Sequence, residues 1–429
     1  MARRQTRREF LRQSAAAAAG IWAGGAPALG AGGSANEKLG IAVVGVANQG
    51  EYNLNNVASE AIVALCDVDE KLAAKARQRF GKAKFYTDFR RLIDQKDIDA
   101  VVVSTPDHTH APATMLSLRA GKHVYCEKPL THSVYEARQV TEMAAKMKVA
   151  TQIGTQIHAR SNYRRVVELV RSGAIGQVAE VHVWCGGAWV GGDRPKDTPP
   201  VPKELHYDTW LGPAPYRPYH PTYLPRNWRG WWDFGGGTLG DMACHHMDLS
   251  HWALGLRHVL TVDAEGPPVH AESAPPWLVV RYQHPAREGK PPVRLTWYQG
   301  DKRPPAIATS RFADWGAGTL FVGQKGQLLA DYNRHVLLPE KAFADFKRPD
   351  PFIPDSVGHH KEWIEACKGR GKALCSFDYS GPLTETVLLG NVAYRSGKRI
   401  EWDAKNFKIT NAPEATRYLR REYRKGWTL

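Results

Sequence analysis

The sequence predicts an α/β protein in two parts: a doubly wound parallel sheet at the N-terminal end, then an α+β domain with a large open mixed sheet. Three observations predict it. Short apolar runs at residues 41–45, 61–66 and 100–103 alternate with helix-patterned stretches, the signature of strands buried on both faces. A glycine-bearing turn follows the first run directly, where a strand must pass into a helix. Beyond residue 155 the texture changes to alternating, half-buried runs joined by segments rich in Pro, Gly, Trp and Tyr.

Residues 1–35 read as an export leader and linker. Arg7 and Arg8, followed by Phe10 and Leu11, precede a mild alanine-rich run, and Ala26-Pro27-Ala28 offers small residues for cleavage. This pattern resembles a twin-arginine (Tat) leader, which implies export in the folded state through the Tat machinery to the periplasm or another location outside the cytoplasm. No other segment approaches the length of a membrane span, so no stable membrane insertion is expected. The chain of 429 residues carries a formal charge of +15, and removing the five arginines and one glutamate of the leader leaves +11. The charges are dispersed except at Arg417, Arg420, Arg421, Arg424 and Lys425, which read as one solvated face of an amphipathic helix. No nucleic-acid-binding motif accompanies them, so nucleic acid is not expected as a partner. The six cysteines are scattered, without CxxC pairs, and read as free thiols.

Residues 36–155 form the first domain. Its strands are expected at 39–45, 61–67, 100–104 and 122–126, with helices through residue 80 and over 111–120 and 133–147. Residues 156–429 form the second. A helix is expected over 163–172, then strands at 179–184, 277–282, 293–298, 320–322 and 327–330. Helices at 359–367 and 382–394 are expected to pack beside that second sheet. Residues 186–232 form a long irregular segment of the kind that carries function.

The turn Gly45-Val46-Ala47-Asn48-Gln49-Gly50 is a GxGxxG fingerprint with alanine at the second glycine. Small residues there let backbone amides approach a pyrophosphate at a helix N-terminus. Asp67 ends the second strand 22 residues after Gly45, where a carboxylate bonds a ribose diol and repels a 2′-phosphate. NAD is therefore favoured over NADP as cofactor. Asp241 and His245, four apart, share a helix face, and a histidine there can take a hydroxyl proton. A rival reading gathers Asp241, His245, His246, Asp248 and His251 around a metal. No fixed ligand motif supports it, and no metal is assigned.

Together with Ser104-Thr105-Pro106-Asp107-His108-Thr109-His110, Glu127-Lys128-Pro129 and the Gly173-Ala174-Ile175-Gly176 turn, these motifs resemble, in order, those of the Gfo/Idh/MocA oxidoreductases. The resemblance extends over residues 39–403. It implies a Rossmann NAD-binding domain in which Thr105, Pro106, His108, His110, Glu127, Lys128 and Pro129 join the turn in holding the cofactor, with a cis peptide before Pro129. It places Lys128 beside nicotinamide and substrate, making Lys128, Asp241 and His245 the expected catalytic residues, and it implies a homo-oligomer. Aromatic faces suit the C–H faces of sugar rings. Trp189, Trp228 and Trp232 are therefore expected at the substrate, with Arg226, Asn227 and Arg229 reading hydroxyls or a carboxylate; His246 is placed at the edge of that site or behind it. The expected activity is NAD-dependent oxidation of a sugar or polyol with a tightly held cofactor. A redox-neutral glycosidase or lyase using transient sugar oxidation, and a non-catalytic sugar-binding protein, are the alternatives.

Overall fold

The computed structural model describes residues 38–287 and 289–429. The leader expected over residues 1–35 lies outside the described residues.

The first sheet contains β1 (Gly40–Val44), β2 (Ala61–Cys66), β3 (Lys84–Tyr86), β4 (Ala100–Val103), β5 (His123–Cys126) and β6 (Thr151–Ile153), in the order β3-β2-β1-β4-β5-β6. Every pairing is parallel. β1 and β4 are buried along their whole length, which is why they read as unbroken apolar runs. The crossovers carry α1 (Gln49–Val57), α2 (Glu70–Arg79), α3 (Phe89–Leu92), α4 (Asp107–Arg119) and α5 (Val134–Met147). α5 starts with a reciprocal capping box between Ser133 and Glu136. Strand order reverses between β1 and β4, so a crevice opens at their C-terminal ends.

The second region begins with α6 (Ser161–Arg171), β7 (Val178–Cys185), α7 (Tyr207–Leu211) and α8 (Gly237–Leu254). It continues through β8 (Thr261–Glu265), β9 (Leu278–His284), β10 (Val293–Gln299), α9 (Pro305–Ala308), β11 (Ala317–Gly323), β12 (Gln327–Ala330) and β13 (His335–Leu338). It ends with α10 (His359–Cys367), α11 (Phe377–Ser396), β14 (Ile400–Asp403) and β15 (Lys408–Ile409). Nine strands form one mixed sheet, β13-β12-β11-β7-β10-β9-β8-β14-β15, with β7 and β10 parallel and the other pairs antiparallel. α8 lies on this sheet: Leu239, Ala243 and Met247 share a core with Val181, Val183, Leu295, Trp297 and Phe321. The fold class is the expected one.

Two expectations fail. α10 packs against α1 of the first region rather than beside the second sheet, because Trp363 and Ile364 complete the core around Ile41, Val43 and Leu54. The basic C-terminal cluster is not an amphipathic helix. A 3₁₀ turn at Pro413–Tyr418 gives way to irregular chain, and Arg421 is drawn inward to pair with Glu136 at 2.8 Å while Trp427 packs against Phe89. A buried ion pair and a buried indole fix this tail, where a helix would present those groups to solvent. All six cysteines are free thiols, and no described helix is long and apolar enough to cross a membrane.

A Cβ at Gly50 would lie 2.0 Å from the Gly45 carbonyl oxygen. Gly50→Ala must displace backbone, and it should lower stability by about 1–3 kcal/mol, read from urea denaturation.

Candidate active site

A cleft of about 400 Å³ opens at the ends of β1, β2, β4 and β5 and is closed on its far side by α8 and the irregular segment before it. β1 delivers the turn. Gly45 has φ +81°, and a Cβ there would sit 2.7 Å from the Ser104 carbonyl oxygen, so the turn needs glycine on both conformational and steric grounds. Ala47, Asn48 and Gln49 line the cleft, and Gly50 lies beneath it in the first turn of α1. β2 delivers Asp67, whose carboxylate accepts from the N–H of Val46 at 2.9 Å and of Asp69 at 3.0 Å. Burial raises its pKa against those hydrogen bonds.

β5 runs into Glu127, Lys128 and Pro129, with a cis bond between the last two. Glu127 is buried, and its Oε1 accepts from the side-chain amides of Gln49, Asn53 and Gln156, each at 3.0 Å. Burial raises its pKa, while Lys128 and the Asn53 and Gln49 amides oppose the shift. Lys128 points the other way, its Nζ donating to Asp241 Oδ1 at 2.5 Å. The same oxygen accepts from Arg229 Nε at 3.0 Å, and Asp241 Oδ2 accepts from Trp189 Nε1 at 2.7 Å. Arg229 also stacks over Trp228 at 4.2 Å. Burial alone would favour the neutral acid at Asp241, but Lys128 and Arg229 prevail and hold the carboxyl well below the usual carboxylate range. Desolvation likewise disfavours the Lys128 ammonium, and Asp241 and Glu127 outweigh it, raising its pKa. His245, one helical turn beyond Asp241, lines the same cleft. Burial first and the Lys128 charge second keep it neutral far below its ordinary range.

The structure thus brings Lys128, Asp241 and His245 together with Gly45, Ala47, Asn48, Gln49, Asp67, Thr105, Pro106, His110 and Glu127. Trp189, Arg226 and Trp228 line its outer part, Arg226 at an exposed rim. Pro129 lies behind the cleft, its carbonyl oxygen 2.7 Å from His110 Nδ1.

Three expected residues face elsewhere. His108 is buried between Trp210 and Phe234, its ring nitrogens 2.8 and 3.3 Å from their carbonyl oxygens, and so ties α4 to the aromatic segment. Trp232 turns away from the cleft to donate to the His270 carbonyl at 3.1 Å under the Arg395 guanidinium. His246, about 100° round α8 from His245, stacks on Tyr332 at 4.7 Å and bonds its hydroxyl at 2.9 Å. The rival metal group is dispersed likewise. His251 faces the Met247 carbonyl, and Asp248 bonds His158 and Tyr379. Among the described residues, His158, Asp248 and Cys375 bring one potential ligand atom each within 4.8 Å of one another. Asp248 is held there by hydrogen bonds from the protein itself.

Sequence reasoning passed over Asp107, the first residue of α4, and Gln156 and Asn53, which clamp Glu127. Asp107 stood inside the quoted motif, yet an acidic residue in a helix's first turn is unremarkable by itself.

The residues present fit a dinucleotide. The turn leaves room where a Cβ would intrude, α1 begins beside it, and Asp67 stands at the expected strand end. Thr105 Oγ1, Asp107 Oδ2 and His245 Nδ1 are buried without partners in residues that line the cleft, the pattern of a polar site waiting for a polar ligand.

Residues 39–155 match the family profile described as "Oxidoreductase family, NAD-binding Rossmann fold", and residues 160–290 the one described as "Oxidoreductase family, C-terminal alpha/beta domain". The chain belongs to the Gfo/Idh/MocA oxidoreductase family. It is 32% identical over 146 residues to inositol 2-dehydrogenase of Salmonella paratyphi B, covering 33% of this chain and 44% of that protein. It is 28% identical over 201 residues to 1,5-anhydro-D-fructose reductase of Ensifer adhaerens, covering 46% and 49%. The matched segments thus span less than half the length of these curated relatives. In fold it is similar to the WlbA dehydrogenase of Bordetella pertussis in complex with NADH and UDP-GlcNAcA, with TM-score 0.63, 18% identity, and 86% of this chain and 99% of that one covered. Aldose-aldose oxidoreductase of Caulobacter crescentus gives TM-score 0.55 at 18% identity over 85% of this chain and 100% of that one. The N-terminal part of this family member is its NAD-binding domain.

Asp241→Asn leaves two buried cations without their carboxylate and should cost about 3 kcal/mol at neutral pH by urea denaturation. Because the Asp241 pKa is depressed on folding, its contribution is fully present above the ordinary carboxylate pKa of about 4 and is lost as pH falls through the lowered value. The variant's stability should accordingly fall less steeply than the wild type's in that acid range.

Proposed function

We propose that this chain is an exported oxidoreductase that uses tightly held NAD to oxidise, or in reverse to form, a hydroxyl group of a sugar or polyol. The observation that carries this reading is the Lys128–Asp241 contact at 2.5 Å in a cleft shared with the dinucleotide turn and His245. Bound NAD would supply the acceptor for a hydride. The chain's own residues do the rest. Lys128 Nζ gives one N–H to Asp241 and has others for a substrate oxygen, where its positive charge stabilises the developing alkoxide. Neutral His245 can accept a hydrogen bond or proton from the same hydroxyl. Trp189 and Trp228 offer aromatic faces to the sugar's C–H bonds, and Arg226 reaches its outer hydroxyls. The named activities of the relatives on inositol and anhydrofructose support the substrate class.

The twin-arginine pattern of the leader supports export. Outside the cytoplasm there is no large NAD pool to exchange with, so the cofactor would be loaded before export and kept through the cycle. Pairing between copies through the open second sheet belongs to the same proposal.

Two measurements check it. Denaturing the purified protein and identifying released nucleotide by mass spectrometry should give close to one NAD(H) per chain. An empty protein that also fails to bind added NAD overturns the reading. Lys128→Ala should reduce turnover by about a hundredfold or more while leaving that occupancy intact; unchanged turnover removes Lys128 from the reaction.

A further inference from the structure

The irregular chain between β7 and α8 does more than close the far side of the cleft. Residues 204–206 run antiparallel to residues 68–70, directly after Asp67. The Glu70 N–H donates to the Glu204 carbonyl at 3.0 Å, the His206 N–H donates to the Val68 carbonyl at 2.8 Å, and Leu205 pairs with Asp69. The His206 imidazole adds a side-chain contact to Glu70 at 3.0 Å. A few residues on, the same chain is fastened to the start of α4. The Trp210 carbonyl oxygen lies 2.8 Å from His108 Nε2. At Gly212, with φ +53°, a Cβ would sit 2.8 Å from the Thr109 methyl, so glycine permits the close approach.

Sheet topology gives these two fastenings their meaning. Strand order here is β2-β1-β4, so a chain tied down beyond β2 and again beyond β4 crosses over the end of β1 and the Gly45 to Gly50 turn. Between the fastenings, α7 places Thr209 and Trp210 on the cleft wall, and Leu224 and Pro225 line it farther along. A dinucleotide held by that turn and by Asp67 lies beneath this chain.

The crossing chain is itself held down by the C-terminal tail. Arg424 donates from Nη2 to the Asp208 carbonyl at 2.8 Å and from Nε to the Gly212 carbonyl at 3.2 Å. Its Nη1 pairs with the Asp208 carboxylate, and its backbone N–H donates to the Pro213 carbonyl at 3.0 Å. The tail then grips the first region. Trp427 packs against the cleft-lining Phe89 and under the Arg90 guanidinium, and Arg421 pairs with Glu136 on α5. Arg424 stands outside the cleft, so it reaches the cofactor only through the chain it holds.

We propose that residues 204–212 form a strap across the bound dinucleotide, that Arg424 is its latch, and that the cofactor leaves only when the strap lifts. The inference rests on the reading of a tightly held NAD and names what holds it. Lifting the strap breaks its bonds to residues 68–70 and to His108 together with those made by Arg424. Such a concerted local opening is rare, and charge-assisted bonds make it rarer.

The test follows exchange of bound NAD(H) for isotopically labelled NAD in excess, read by mass spectrometry of the nucleotide released on denaturing the full chain. It needs no substrate and no turnover. Arg424→Ala should exchange about tenfold faster than wild type, at full occupancy in excess NAD. The double variant Asp69→Cys/Leu205→Cys, on the facing pair of the bridge, allows the strap to be tethered by a disulfide. Its oxidised form should exchange about tenfold more slowly than its reduced form, and a thiol reductant should restore the rate. A loss of packing alone would not be reversed in this way. Exchange by Arg424→Ala no faster than wild type overturns the proposal, and so does an oxidised double variant that exchanges as fast as its reduced form. If Arg424→Ala fails to fold, the double variant decides. A wild type purified empty overturns the tight-holding reading alone, and the same comparisons made after loading with NAD still decide the strap. A wild type that binds no labelled NAD overturns both.

Discussion

The Asp241 carboxylate accepts hydrogen bonds from Lys128, Arg229 and Trp189, which come from three different segments: the end of β5, the 3₁₀ turn before α8, and the loop after β7. The rest of the site depends on it. Burying an ammonium and a guanidinium in one cleft costs several kcal/mol for each ion unless an anion and hydrogen bonds offset it. A single carboxylate on a helix packed against the second sheet does this for both. It fixes Lys128 toward α8 and holds the Trp189 indole and the Arg229–Trp228 stack beside it along the cleft.

Behind Lys128, Glu127 does the corresponding work on the cofactor side. Its Oε1 collects amides from α1 at Gln49 and Asn53 and from Gln156 just past β6, so the dinucleotide turn and the crossover to the second region are tied to one carboxylate. A Cβ at Gly154 would lie 2.6 Å from this carboxyl, and glycine there is what permits the approach. Glu127 and Lys128, adjacent in sequence, thus point in opposite directions. One fastens the backbone of the dinucleotide turn, and the other carries its charge across the cleft to Asp241 on α8.

The fold was legible because its signals are local. Doubly buried strands read as continuous apolar runs, the Gly45 to Gly50 turn sits directly after one of them, and Asp67 ends the next. The site was legible only in part, because adjacent residues diverge in space. His246 follows His245 but faces Tyr332, and Trp232 lies four residues beyond the cleft-lining Trp228 yet turns away to bond a carbonyl. His108 and His110, two apart in one motif, part company likewise, one entering the aromatic segment and the other lining the cleft. The C-terminal segments misled for the opposite reason. Trp363 and Arg421 find partners more than two hundred residues away in the first region, and no local pattern encodes such a partner. Asp107 was hidden by being ordinary: a helix's first turn favours an acid, and only the three-dimensional surroundings show that one of its oxygens has no partner.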